Sequence, residues 1–193
     1  MEPRIAREIE VIVRVATRDR SGFYPDASPE DLAEYLKPTA SSPNDGVVLA
    51  RAREIVGART APLDKARAIY DWIVDNTFRR AETRGCGLGN IAFMLETGDL
   101  GGKCADINSL YVGRAAGLPA RDFFGIRVAE SNVTKSLGKS GDITRAQHCR
   151  AEVYIDRKGW FPVDPADVRK VVLEESLPIR PRRCASACSG TAR

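Results

Sequence analysis

The stretch Gly101-Gly102-Lys103-Cys104-Ala105-Asp106-Ile107-Asn108-Ser109-Leu110-Tyr111 passes from a glycine pair into a helical pattern. It predicts a helix from about Cys104 to Ala116, with Ala105, Asn108 and Ser109 near its start and Leu110 and Tyr111 on its inner face. Gly117 followed by Leu118-Pro119 marks its end, because glycine takes the left-handed position after a helix and proline cannot continue one. Cys104 therefore falls in the first turn, where unpaired backbone N–H groups and the helix dipole favour negative charge. A thiol placed there ionises more readily, and the thiolate is the reactive form. Taken alone, such a cysteine is most often a small buried hydrophobe. Its meaning depends on what the chain brings near it.

Downstream, residues 120–129 read as a strand and residues 130–146 as a long polar loop, of a length that tends to serve function. Residues 147–155 and 160–164 form a predicted hairpin around the turn Asp156-Arg157-Lys158-Gly159. The first of these strands carries His148, the only histidine in the chain, and the second ends at Asp164. A thiol, an imidazole and a carboxylate in the order Cys104, His148, Asp164 are the parts of a cysteine nucleophile with its base and orienting group. The simplest hairpin register pairs Asp156 with Trp160 and Asp164 with Glu152. His148 and Asp164 then share a face but stand about 13 Å apart at roughly 3.3 Å per residue. A wider loop, or a bulge at Pro162, is needed to close that gap. Cys149 adjoins His148 and is expected to point to the opposite face, away from the site. Cys86 is likewise read as a small buried residue.

Upstream, Ile9, Val11, Val13 and Val15 alternate with polar residues and predict a half-buried strand. Residues 18–46 read as loop with a short helix at 29–36. A helix follows over about 47–57, opened by Asn44 or Asp45 and closed by Gly57. Leu63, Ala66, Tyr70, Ile73 and Val74 set the stripe of another helix, with Pro62 at its start and Trp72 read as core. Gly85, Gly87, Gly89, Gly98, Gly101 and Gly102 lack the Gly-Lys-Ser/Thr ending of a phosphate loop. They are expected to supply tight turns and close backbone approach to Cys104. This divides the chain into a strand and loop segment at 1–46, a catalytic domain at 47–175 and an irregular basic tail at 176–193.

Composition narrows the function. The 193 residues, 43% hydrophobic, suffice for one good core, and no apolar run approaches the ~18 residues that span a bilayer. The net charge of +4 comes entirely from Arg180, Arg182, Arg183 and Arg193; residues 1–175 are formally neutral. A neutral body argues against nucleic acid as the main partner, and no membrane partner is expected. Scattered cysteines with one histidine do not supply the paired close spacing of a structural zinc site, so neither metal nor cofactor is expected. As written, Met1-Glu2-Pro3-Arg4 opens a cytoplasmic chain; export is expected if an upstream signal region is missing. The sequence does not encode an oligomeric state.

Four ordered motifs resemble the transglutaminase-like superfamily: Gly101-Gly102-Lys103-Cys104-Ala105-Asp106, Gly117-Leu118-Pro119-Ala120-Arg121, Gln147-His148-Cys149-Arg150-Ala151-Glu152-Val153-Tyr154 and Gly159-Trp160-Phe161-Pro162-Val163-Asp164-Pro165. The resemblance covers about residues 63–173 and includes the helix around Tyr70 and Trp72. It implies an α+β, papain-like fold in which the nucleophile helix packs on an antiparallel sheet. It also implies Cys104 as nucleophile, His148 as base and acid, and Asp164 as orienting group. The implied activity is thiol-dependent amide hydrolysis or acyl transfer through a thioester, on a peptide or protein amide. An inactive interaction module is the alternative. The calcium sites of the animal cross-linking members have no visible counterpart. Residues 176–193 fall outside the resemblance and are expected to be an out-of-frame or replaced C-terminus.

Overall fold

The protein is described by a computed structural model, which defines residues 9–16 and 27–177. Its elements, in chain order, are α1 (Pro29–Glu34), α2 (Gly46–Val56), α3 (Pro62–Asn76), β1 (Phe78–Arg79), α4 (Ile91–Thr97), β2 (Gly101–Gly102), α5 (Cys104–Ser109), β3 (Ala120–Ile126), β4 (Gln147–Ile155), β5 (Gly159–Val163) and α6 (Pro165–Glu174). Strands β3, β4 and β5 form an antiparallel sheet in that order, while β1 and β2 form a short parallel pair. This is the expected α+β arrangement, with α5 packed on the central strand β4.

The local chemistry of each element is readable. Helix α2 starts after Asp45 and stops at Gly57, whose φ of 56° lies in the region that disfavours side chains. Pro62 opens α3, and its stripe buries Ala66, Ile69, Ile73 and Val74. Leu63, expected on that stripe, lies at its exposed end, and Trp72 is half-buried against the core. On β4 the alternate residues Cys149, Ala151, Val153 and Ile155 join that core, where Ile107 and Leu110 also sit. Ile69, Ile73, Ile107, Leu110 and Val153 are fully buried, so the sheet and α3 hold α5 from the same apolar cluster.

Several expectations are corrected. Residues 9–16 take no strand conformation and are exposed, because none of the described strands pairs with them. The other expectations for residues 1–8, 17–26 and 178–193 lie outside the described residues. The regular part of α5 ends at Ser109, after which tight bonds such as Val112 N–H to Leu110 O carry the chain in turns to Gly117. Two helices escaped the periodicity reading. Helix α4 is seven residues long, capped by Asn90 on the Phe93 N–H and ended by Gly98. Helix α6 is capped by Asp164 itself, with Pro165 in its first turn.

The glycines of this segment that are most tightly packed, Gly87 and Gly102, meet Asp106. The Asp106 carboxylate is buried and accepts from the N–H groups of Leu88 (2.8 Å), Gly89 (3.0 Å) and Lys103 (3.1 Å). A Cβ on Gly87 would stand 1.8 Å from its Oδ2, and one on Gly102 would stand 2.4 Å from it. Gly87 also has φ 97°. Gly87→Ala is therefore expected to lower unfolding free energy by about 2–4 kcal/mol, through combined clash and backbone strain. Urea denaturation checks this; a loss under about 0.5 kcal/mol would show that Asp106 does not hold this loop.

Candidate active site

Cys104 is the first residue of α5, so its backbone N–H has no acceptor within the helix. The sulfur lies where β4 begins, within 4.8 Å of the Cys86 and Cys149 sulfurs, and the Cys149 thiol, the His148 ring, the Cys149 backbone N–H and the Cys86 thiol all favour its charged form. The Cys149 contact is the largest influence lowering the Cys104 thiol far below its ordinary range; burial opposes it, and His148 adds to it. Helix α5 is only six residues, so direct donors matter more here than the helix dipole.

His148 is held on its other side. Its Nε2 lies 2.6 Å from Asp164 Oδ2, which leaves Nδ1 to meet Cys104. Burial alone would lower the imidazole pKa, but the bonds to Asp164 and Cys104 outweigh it and raise the value to about 9. Both shifts act the same way, toward a thiolate on Cys104 and an imidazolium on His148. A second carboxylate, Asp167, stands 3.7 Å from Nε2 and is bound by Arg127. Burial and the charge of Asp164 push the Asp167 carboxyl upward.

The hairpin geometry explains how Asp164 reaches His148. Ile155 pairs with Gly159, so the three-residue loop is Asp156-Arg157-Lys158, one position earlier than expected. Pro162 pairs with Glu152 in unbroken register, without a bulge. Continuing that register sets Asp164 opposite Arg150, one diagonal step from His148, at a spacing of about 7–8 Å that side chains bridge. The 13 Å gap came from misplacing the loop by one residue.

Asn108 ties the three elements together. From α5, its Nδ2 donates to Cys149 O on β4 (2.6 Å) and to Asp164 Oδ1 (3.1 Å), while its Oδ1 accepts from Ala166 N–H on α6 (3.0 Å). Asp164 Oδ1 also accepts from Asp167 N–H (3.2 Å), so one carboxylate both caps α6 and orients the histidine. In the sequence Asn108 stands near the helix start without a role of its own. A buried amide one turn after a helical cysteine was the available signal.

Cys149 and Cys86 also depart from expectation. Alternation sends Cys149 to the core face, yet the core face at the start of β4 is where α5 presents Cys104. The sulfurs of Cys86, Cys104 and Cys149 all lie within 4.8 Å of one another. Three cysteines scattered in sequence form one thiol cluster.

A cleft of about 1040 Å³ opens over Cys104 and His148. The loop expected at 130–146 forms one wall through Gly138, Lys139, Asp142, Thr144, Arg145 and Ala146. Seven lysines and arginines line the cleft against three acidic residues. Arg84, Lys103, Lys139 and Arg145 among them form no close ion pair among the described residues. The neutral sum over residues 1–175 thus hides a segregation of charge, with cations gathered at the cleft.

Fold and site together are those of a papain-like domain with a cysteine at the start of the helix that packs on its antiparallel sheet. The core model of the transglutaminase-like superfamily matches residues 49–165, and the chain belongs to that superfamily. It is 41% identical over 192 residues to an uncharacterised protein of Haemophilus influenzae, covering 88% of this chain and 52% of that one. The chain thus spans about half the length of that relative. Among solved structures it is similar to a candidate cysteine protease from Cytophaga hutchinsonii, with TM-score 0.55, 25% identity, and coverage of 77% of this chain and 45% of the other. The periplasmic domain of TgpA from Pseudomonas aeruginosa shares the fold, with TM-score 0.57, 21% identity, and coverage of 77% and 50%. Among the described residues, no helix is long and apolar enough to cross a membrane.

The site makes the pH dependence of Cys104 alkylation diagnostic. With iodoacetamide, wild-type labelling is expected to stay flat between about pH 5 and 8, since the thiolate is already formed. In His148→Ala one of the bonds holding the thiolate is lost, so the rise in labelling should move to higher pH. Superimposable profiles would show that the two residues are not coupled.

Proposed function

We propose that this protein is an amide hydrolase acting on a peptide or protein substrate through Cys104, His148 and Asp164. The observation that carries the reading is Cys104 and His148 side by side in the lining of the cleft, with the His148 ring held by Asp164 Oδ2. The Cys104 thiolate attacks the amide carbonyl, forming the S–C bond as the carbonyl electron pair moves to oxygen. The Cys104 N–H is positioned to meet that oxyanion. The His148 Nδ1 proton passes to the leaving nitrogen, the C–N bond breaks, and a thioester remains. A water then attacks, giving its proton to His148, and release of the acid restores the thiolate. Asp164 keeps the ring oriented and its charged form stable through both halves. A lysine amine replacing water would give acyl transfer by the same first half.

The cationic lining of the cleft supports an acidic substrate. Arg84, Lys103, Lys139 and Arg145, which form no close ion pair among the described residues, attract glutamate or aspartate near the reacting amide, and salt weakens this attraction. Synthetic peptides in Glu/Gln isosteric pairs test both parts of the proposal. Wild type is expected to cleave the acidic member about tenfold faster at low salt, with the preference shrinking in high salt. Cys104→Ala should lose about 10³-fold or more of the turnover. Equal turnover of the pair would remove the acidic preference while leaving the hydrolase standing. Release of an amide-linked product without free acid would identify acyl transfer instead. Absence of product and of any Cys104 adduct across the peptide set would make the chain an interaction module.

A further inference from the structure

The mechanism needs one cysteine, and the fold gathers three. Cys86 comes from the glycine-rich segment before α4, Cys104 from the start of α5 and Cys149 from β4, yet their sulfurs lie within 4.8 Å of one another. None of the three is in a disulfide; Cys104 and Cys149 are buried and Cys86 is half-buried. The neighbours are fixed by backbone bonds: Ala105 N–H donates to Cys86 O at 2.8 Å, and Asn108 Nδ2 holds Cys149 O at 2.6 Å.

We propose that Cys86, Cys104 and Cys149 form a three-thiolate site for a thiophilic d10 cation of the zinc type, whose binding occupies the nucleophile. A tetrahedral zinc centre with bonds near 2.3 Å sets its sulfurs about 3.8 Å apart, so the cluster needs only a small contraction. Thiolates select soft and borderline cations over magnesium or calcium. The three sulfurs leave one tetrahedral position open, for water or for His148 Nδ1 on the Cys104 side. Asp164 on Nε2 is the partner that orients a metal-bound histidine. On binding, Cys86 and Cys149 lose their thiol protons to solvent, and the Cys104 sulfur takes a metal bond in place of its contact with His148. The cation thereby blocks attack on an amide carbonyl, and a chelator restores it. Binding itself does not depend on the hydrolase proposal, because it is read without turnover.

The test uses the full chain with Cys184→Ser and Cys188→Ser to silence the tail thiols, kept reduced with a phosphine. Cadmium is the probe, since its bonds to thiolate give an ultraviolet charge-transfer band that scales with the number of sulfurs bound. The band is expected to saturate at one cadmium per chain and to fall by about a third in each of Cys86→Ser and Cys149→Ser. Binding should also weaken about tenfold or more in each. Zinc should displace the cadmium. An independent arm needs no cluster substitution: zinc should slow maleimide labelling of half-buried Cys86 about tenfold or more, as read by mass spectrometry. An unchanged band in both serine variants would reduce the site to a Cys104–His148 pair and overturn the proposal. Undiminished Cys86 labelling with zinc present would overturn it equally.

Discussion

The hydrogen bond between His148 Nε2 and Asp164 Oδ2 is the constraint on which the site depends. An imidazole that loses water on burial would ordinarily become a weaker base, and here burial does act in that direction. The carboxylate on one side and the thiolate on the other reverse the outcome. Asp164 and Cys104 both favour the imidazolium of His148, and His148 in turn favours the thiolate of Cys104. Removing His148 or Cys104 therefore changes the charge balance of the other.

That row is possible because its residues are fixed by groups that do no chemistry. Asn108 holds the β4 backbone at Cys149, the Asp164 carboxylate and the start of α6 at once. Asp106 performs the same service on the opposite side, binding the N–H groups of Leu88, Gly89 and Lys103 around the start of α5. Both are buried polar residues whose bonding groups have partners, and such residues rigidify a site where partly satisfied ones would weaken it. The six-residue α5 therefore does not depend on its own length for stability. The apolar cluster around Ile107 and Leu110 anchors it from below, and the two side chains clamp it from either side.

Much of this was legible in the sequence, for identifiable reasons. Strand β4 declared itself by alternation and its hairpin turn, α3 by its stripe and Pro62, and the site by four motifs in fixed order. The failures share a different cause. Helix α4 is too short to show a period, and the Asp164-Pro165 start of α6 also reads as the end of a strand. The register of Asp164 turned on where a three-residue loop begins, and one position there moves the carboxylate by a diagonal step. Cys86 and Cys149 were misjudged because strand alternation describes direction but not what another element presents on that face. The basic cleft was invisible to a charge count, since folding can segregate charges that balance in sum. In each case the missing information lies in contacts between residues distant in sequence.

Because His148 is the only histidine, nitrogen-15 NMR of its ring reads the central interaction without ambiguity. The expected result is an imidazolium that persists through neutral pH and loses its proton near pH 9, with Nε2–H hydrogen-bonded throughout. In Cys104→Ala the midpoint should fall, since one of the groups that raise it is gone. A wild-type midpoint near the ordinary value of about 6.5, unmoved by that substitution, would contradict the coupled thiolate–imidazolium–carboxylate row.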